Sequence, residues 1–411
     1  MLVLRHRKRT GYRWQQRTLK QVPAGPFDLW IQASSGGEAN LAGEIIRNLS
    51  QLSDEHNCEL RLLLTSGTRE GIEGLERAVK QNLPSTTHIK TSICCFPFDA
   101  PHLRRKAFQH FSPRLAVLLE TELWPGYLVA AHKGENPVYL INGRMSNRSY
   151  PSYLRFRKFL HLFGPNRIWA ISKEDAEKFS QVMGKEKVAL MTNIKFDTML
   201  TGEQPVKSPA KLSSVLPASV PFVIFGSIHK EEEEQVLQTI KELVQKRPDA
   251  IIGVFPKKPQ RIAPWLKRLR SENLPSEKRS QLDALSAVTK VIVWDVFGEL
   301  GQAYALASAA FVGGSLIARG GQNFLEPLQF GLRPIIGPYY HDFSWVGQEF
   351  FTEKLVEVAN NQSELTEMLL QELSHPQPSA KIRARVIELV VQRKGGAQFI
   401  SQQLFTFLTQ Q

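Results

Sequence analysis

A chain of 411 residues is too long for one ordinary domain and fits about two or three. Its composition, 42% apolar and 22% charged, excludes a disordered tail, a coiled coil and a collagen-like fibre. The net charge is +13, and residues 1–20 hold seven Lys and Arg with no acid, leaving +6 over the other 391. That basic arm, with Tyr12 and Trp14 interleaved, suits an anionic partner, either a membrane surface or nucleic acid; a solvated, frayed terminus has the same composition. Three cysteines, two of them adjacent, make no disulfide framework and have no metal-ligand spacing, which fits a reducing compartment. No run reaches the roughly 18 apolar residues of a membrane span, and no apolar segment follows the basic start as in a signal peptide.

From residue 27 the pattern is strand, loop, helix, repeated. Phe27–Ala33 is an apolar run ending in Ser34-Ser35-Gly36-Gly37, followed by Leu41, Ile45, Ile46 and Leu49 at helical spacing. Leu60–Leu64 ends at Thr65-Ser66-Gly67-Thr68, Leu115–Leu119 at Glu120-Thr121-Glu122, Val138–Ile141 at Asn142-Gly143-Arg144, and Ile168–Ile171 at Ser172-Lys173. Short continuous apolar strands alternating with helices predict a parallel sheet covered on both faces. Residues 201–220, rich in Pro, Ser and Lys, read as a linker. The alternation then restarts with Phe222–Phe225, Ile251–Phe255, Val291–Trp294, Ala309–Val312 and Pro334–Ile336. The expected organisation is a basic segment 1–20, an α/β domain 21–200, the linker 201–220, a second α/β domain 221–380 and a helical segment 381–411.

Parallel sheets bind ligands beyond the carboxyl ends of their strands, so the residues just after each strand are the candidates. Two such domains facing across a central cleft make the GT-B architecture of nucleotide-sugar glycosyltransferases, which epimerases and phosphorylases share. Glu38 follows the first strand, either as a helix-start residue beside glycines that turn the chain, or as a general base for an acceptor hydroxyl. Glu120 and Glu122, before Leu123-Trp124-Pro125, are an acidic pair at a strand end, or helix-capping carboxylates; one of them is expected to face the ligand directly. The segment from Phe311 to Pro327 runs from a strand through a glycine-rich loop to a helix expected near Asn323. Its free N–H groups suit a phosphate, and Glu326 suits a ribose. Ser227 can donate to a leaving phosphate, while His229 reads equally as a cap or a catalytic group. The loop Pro256-Lys257-Lys258-Pro259-Gln260-Arg261 offers cations to a phosphate or is a solvated basic loop. Lys195 can neutralise a departing charge, and Gly298-Glu299-Leu300 offers backbone N–H groups near a base or ribose. The Asp-x-Asp pattern that holds Mg²⁺ on sugar diphosphates, a P-loop and a Ser/His/Asp order are all absent from the sequence.

The ordered segments Ser35-Gly36-Gly37-Glu38, Glu120-Thr121-Glu122-Leu123-Trp124-Pro125, Asn142-Gly143-Arg144-Met145-Ser146, Asn193-Ile194-Lys195-Phe196-Asp197, Gly298-Glu299-Leu300 and 313–327 together resemble the 3-deoxy-D-manno-octulosonic acid (Kdo) transferase family. The resemblance implies a metal-independent, inverting transfer of Kdo from CMP-Kdo to a lipid A precursor (lipid IVA), with no cofactor and no nucleic-acid partner. It implies Glu38 as base, Glu120 and Lys195 as transition-state stabilisers with Glu122 nearby, and CMP contacts at Pro256, Lys257, Phe297, Gly298, Glu299, Asn323, Phe324, Leu325 and Glu326, with Ser227 added from its place after a strand. It also implies the cytoplasmic face of the bacterial inner membrane, held through residues 1–20 or through an apolar anchor that members of the family usually carry ahead of the Gly-Tyr-Arg segment. Two positions depart from the family pattern: Gln322 stands in place of a histidine, and Gly36 in place of a valine, which is expected to loosen the turn that aims Glu38. A different nucleotide-sugar donor and a non-catalytic binding homologue are the alternative readings.

Overall fold

The computed structural model describes residues 12–410 except 85, 200–209, 214, 218 and 287. The chain forms two units, residues 1–199 with 393–411, and residues 200–392. In the first, seven strands form one sheet in the order β3-β2-β1-β4-β5-β6-β7. They are β1 (Phe27–Gln32), β2 (Leu60–Ser66), β3 (Ile89–Cys95), β4 (Pro113–Leu119), β5 (Val138–Gly143), β6 (Arg167–Ala170) and β7 (Val188–Leu190). Every pairing is parallel. The interior strands are apolar at successive positions because both sheet faces are covered: Leu29, Ile31, Leu62, Leu64, Leu115 and Val117 enter one core, and Trp30, Leu63, Ala116 and Leu118 the other. One polar chain crosses this interior, Trp30 Nε1 donating to Thr65 Oγ1 at 2.8 Å and Thr65 Oγ1 to Gln32 Oε1 at 2.7 Å.

The second unit has seven parallel strands in the order β10-β11-β9-β8-β12-β13-β14. They are β8 (Phe222–Ile228), β9 (Ile251–Pro256), β10 (Ser276–Lys278), β11 (Val291–Val293), β12 (Ala309–Val312), β13 (Pro334–Ile336) and β14 (Glu357–Val358). Strand order reverses between β1 and β4 in one sheet and between β8 and β12 in the other. At such a switch point the flanking connections run to opposite sides, and a crevice opens at the carboxyl ends of the two central strands.

The expected helical segment 381–411 is two helices in different units. Ser379–Val391 belongs to the second unit, whereas Gly396–Thr409 packs Ala397, Ile400, Leu404 and Phe405 into the first unit's core beside Leu41 and Ile45. The Asp197 carboxylate fastens that return by accepting the Gly395 and Ala397 N–H groups, both at 2.7 Å, which would otherwise be unpaired at a helix start. Part of the expected linker, 201–209 with 214 and 218, lies outside the described residues, as do residues 1–11 of the basic arm. Where the arm is described, Arg13, Trp14, Gln15 and Lys20 are exposed, but two of its cations are engaged. Arg17 is buried, donating to the Tyr12 and Gly67 carbonyls and lying 5.4 Å from the Phe98 ring, and Arg13 pairs with Glu76. The Arg17 guanidinium is thus committed to two carbonyls of its own chain.

Candidate functional site

In the first unit, the loops after β1 and β4 and a turn after β7 converge. Ser35 ends the extended chain and caps the helix Gly36–Glu55, its Oγ accepting the Glu38 N–H at 3.2 Å. Gly36 and Gly37 are therefore the first residues of the helix, not the makers of a tight turn. A Cβ at Gly36 would approach nothing nearer than the Glu70 carbonyl at 4.0 Å, so space does not demand glycine there. Glu38 folds back over the helix start: its carboxylate accepts the Ser34 N–H at 2.5 Å and the Ser35 hydroxyl at 3.3 Å. Helix-start residue and candidate base are thus the same carboxylate.

Glu120 and Glu122 both join it, which corrects the expectation that one would face away. Positions two apart on a strand share a face, and Glu120, at φ +56°, turns the chain out of β4. Non-glycine residues in that region carry strain that clusters at functional sites. Glu122 accepts from Ser34 Oγ and from Trp124 Nε1 at 2.6 Å, and Glu120 pairs with Lys195 Nζ at 2.5 Å. Burial, reinforced by the charges of Glu122 and Glu120, pushes the Glu38 carboxyl up to about 8, against the pull of the Ser34 N–H. A buried carboxyl with neighbours of its own sign, beside a lysine, is an arrangement that can accept a proton near neutral pH.

Two residues of the segments that carry the resemblance, given no role there, hold Lys195. Asn142, at φ +57° on β5, accepts the Ile194 N–H at 2.9 Å, and Asn193 accepts the Lys195 N–H at 3.0 Å. Both side chains are buried with an unpaired Nδ2. An asparagine just after an apolar strand was the available signal.

The raised Glu38 carboxyl has a stability consequence. The folded state holds this proton more tightly than the unfolded chain, so its stabilising contribution is full below about pH 4.5 and is lost as pH rises to about 8. Glu38→Gln removes the ionisation. The variant is expected to match the parent near pH 4.5 and to exceed it by roughly 1–3 kcal/mol above pH 8, as read by denaturant unfolding.

In the second unit, Ser227, Pro256, Lys257, Phe297 and Gly298 line one cavity of about 220 Å³. Leu300, from the expected Gly298-Glu299-Leu300 segment, also lines it, and Phe255, Trp294, Asp295 and Val296, which the sequence did not single out as site residues, complete it. Phe255 and Trp294 stack at 4.3 Å, and Phe297 stands 69% exposed at the rim. Ser227, expected just after a strand, instead lies within β8, at φ +56° where the β8–β9 register shifts, because the strand continues past the apolar run to Ile228. The Glu299 carboxylate is already engaged by Trp294 Nε1 at 2.8 Å and Arg279 Nε at 3.1 Å, so it braces the cavity wall. Arg261 of the basic loop is likewise paired, with Glu233, whereas Lys257 and Lys258 are exposed.

The glycine-rich loop differs from its expected form. Glu232, fully buried, accepts the His229 N–H at 2.8 Å and the Gly314 N–H at 2.6 Å, so this loop donates to a carboxylate of its own chain. Gly313 is required there, because a Cβ would fall 2.5 Å from Glu232 Oε1. The helix near Asn323 is one turn, Leu325–Leu328, and the Leu325 N–H is held by Asn323 Oδ1 at 3.2 Å. Phe324 and Leu325 are buried, Phe324 against Phe343 and Phe351, so any ligand would meet their backbone alone. Asn323 donates to Glu326 at 3.2 Å; burial raises the Glu326 carboxyl while Asn323 and the Lys257 charge lower it. The His229 ring has an unpaired, buried Nε2 and is held toward its neutral form by burial and by Arg319 and Lys257. Gln322 lies beside Gly314, its Nε2 donating to the Gly321 carbonyl at 3.2 Å. Glu232→Ala would leave two buried N–H groups unpaired and is expected to cost about 2–4 kcal/mol, measurable by urea unfolding.

Comparisons with known proteins bear on the family and the fold. Residues 5–198 match a family model described as 3-deoxy-D-manno-octulosonic-acid transferase (kdotransferase). The chain is similar to the 3-deoxy-D-manno-octulosonic acid transferase of Rickettsia bellii, 32% identical over 76% of this chain and 71% of that one. It is also similar to the enzyme of that name from Haemophilus influenzae, 27% identical over 91% and 85%. Among solved structures, Anabaena HepE in complex with UDP matches 93% of this chain and 99% of its own at 14% identity, with a TM-score of 0.58. That likeness concerns the fold, which is GT-B.

Proposed function

The chain belongs to the Kdo transferase family of glycosyltransferases, and from that premise we propose that it moves Kdo from CMP-Kdo to a hydroxyl of a lipid A precursor such as lipid IVA. The observation that carries the reading is the Glu38 carboxyl, buried between Glu120 and Glu122 with its pKa near 8, beside the Glu120–Lys195 pair.

A sugar hydroxyl is a poor nucleophile at neutral pH, so its proton must leave as the oxygen attacks. Glu38 accepts that proton while the acceptor oxygen bonds to the anomeric C2 of Kdo. The bond from C2 to the phosphate oxygen breaks, and its electron pair departs with CMP. A single displacement of this kind inverts the anomeric centre. Lys195, held in register by Glu120, Asn142 and Asn193, supplies positive charge to the departing phosphate. CMP leaves with one phosphate, so the charges of Lys195 and Lys257 are proposed to suffice without a metal. The cavity lined by Ser227, Lys257, Trp294 and Phe297 is smaller than the about 300–1,000 Å³ that holds a drug-sized ligand. It suits one part of CMP, the base, with Lys257 and Glu326 reaching toward phosphate and ribose.

The proposed place of action is the cytoplasmic face of the inner membrane, where such an acceptor is made; the cations of residues 1–20 other than Arg13 and Arg17 are proposed to meet its anionic surface. Among the described residues no helix is long and apolar enough to cross a membrane. The test is mass spectrometry of lipid IVA incubated with CMP-Kdo and the protein, with and without EDTA. A product heavier by one or more Kdo units in both samples supports the reading. CMP binding without product overturns it, and product lost only with EDTA overturns the metal-free step.

A further inference from the structure

Trp30 and Gln32 share one face of β1, and Gln32 lies opposite Thr65 in the parallel register with β2. All three side chains are fully buried. The hydrogen bonds that cross this interior continue beyond Gln32. Its Nε2 donates to Ser34 Oγ at 3.1 Å, and Ser34 Oγ donates to Glu122 Oε2. The same Glu122 oxygen accepts from Trp124 Nε1 at 2.6 Å, and the Ser34 N–H goes to Glu38 at 2.5 Å. Ser34 therefore touches both carboxylates, Glu122 through its side chain and Glu38 through its backbone.

The direction of this chain is dictated from its buried end. An indole N–H can only donate, so Thr65 Oγ1 accepts from Trp30 and turns its own proton to Gln32. With its oxygen on Thr65, the Gln32 amide presents its NH2 to Ser34. Ser34 Oγ, having accepted there, has its proton left for Glu122. Turning the amide over would aim its NH2 at a Thr65 hydroxyl left with nothing to donate to. Its oxygen would then draw the Ser34 proton away from Glu122. Both changes are costly where water is excluded. Glu122 Oε2 thus receives two donors and carries no proton of its own.

Carboxylates crowded together share protons, and a proton goes to the one whose ionised form is least supported. Glu120 has Lys195, and Glu122 has the Ser34 hydroxyl and the Trp124 indole; both are half-buried. Glu38 is buried, with the Ser34 N–H and a longer bond from the Ser35 hydroxyl at 3.3 Å. We propose that Trp30, Thr65 and Gln32 are positioning residues for the candidate site: they aim the Ser34 hydroxyl at Glu122 and so direct the cluster's exchangeable proton to Glu38. The inference deepens the reading of Glu38 as proton acceptor and rests on it for its bearing on transfer. Few other charges compete. The packed helix Arg69–Asn82 begins with Arg69 and Glu70, both exposed, and Arg69 pairs with Glu73. The returning helix Gly396–Thr409 carries no charged side chain, Asp197 and Lys394 lie near Glu44, further along the helix that bears Glu38, and Tyr153 lies near Glu122.

The experiment follows the glutamate carboxyls of the isotope-labelled full chain by NMR across pH, without donor or acceptor. Glu38 is identified by the signal lost in Glu38→Gln, and in the parent it should titrate near pH 8. Ser34→Ala removes the hydroxyl and keeps the backbone donor. Glu122 then competes for the proton, and the Glu38 midpoint should fall by about one unit. Thr65→Val, close in size but without the hydroxyl, frees the Gln32 amide to turn over and should lower that midpoint by about half a unit. Thr65→Ser keeps the hydroxyl and should leave the midpoint where it is. On the Ser34→Ala background Thr65→Val should have no further effect, because it acts through that hydroxyl. An unchanged midpoint in Ser34→Ala or in Thr65→Val overturns the proposal. So does a Thr65→Val shift that persists on the Ser34→Ala background, or one that Thr65→Ser reproduces, since either marks a packing effect. Ser34 lies beyond the end of β1 and is half-buried, so its variant decides the matter should Thr65→Val fail to fold. The titration uses no substrate: these shifts in a chain that transfers no Kdo would strike the transferase reading and leave the proton's placement standing.

Discussion

Glu38→Gln is expected to lower kcat by about 10³-fold while leaving CMP affinity within about two-fold. The amide keeps the shape of the side chain, and its oxygen can still accept the Ser34 N–H, so the helix start survives. What disappears is the ability to take a proton. CMP affinity is the control because the groups proposed to hold CMP belong to the other unit. In the parent, kcat/KM should rise with pH to a plateau above about 8, since the carboxyl must lose its proton before it can act as a base. The variant's residual rate should show no such rise. Full activity in Glu38→Gln, or an unchanged pH profile, would remove this residue from the base role.

Lys195→Gln should lower kcat by about 10²–10³-fold with little change in KM, the mark of a group that acts on the departing charge more than on bound substrate. Glu120→Gln should cost a similar factor by releasing Lys195 from its 2.5 Å pair, and the double variant should be scarcely worse than either single one. Two independent contributions would instead multiply to about 10⁵-fold. Such a product, measured at saturating donor, would show that Glu120 acts on substrate rather than through Lys195.

Much of this architecture is legible before any coordinates. The ten interior strands, β1, β2, β4, β5, β6, β8, β9, β11, β12 and β13, stand out as short apolar runs because both faces of each are covered. The four strands that the same reading passes over are β3, β7, β10 and β14, the edges of the two sheets. An edge strand has one open flank and incomplete cover; Val188–Leu190 and Ser276–Lys278 contain no fully buried residue, so no apolar run marks them. The sequence also cannot announce that its last helix rejoins the first unit. That depends on the Asp197 carboxylate meeting two N–H groups about 200 residues onward and on a core face left open between Leu41 and Ile45.

The candidate residues divide in the same way. Position just after a buried parallel strand is a local property, which is why Glu38, Glu120, Glu122, Lys257 and Gly298 can be named from the chain alone, and Ser227 from the end of an apolar run. What each side chain touches is decided by segments remote in sequence. Glu232 fills the glycine loop expected to stand open, Arg279 and Trp294 claim Glu299, and Arg17 is drawn under the Gly67 carbonyl instead of facing an external anion. Sequence by itself determined two parallel α/β sheets and the strand ends where chemistry can lie, because burial on both faces leaves a local apolar signature. Only the tertiary structure decided which charges remain available, because a buried charge or N–H group must be paired and its partner arrives from anywhere in the chain.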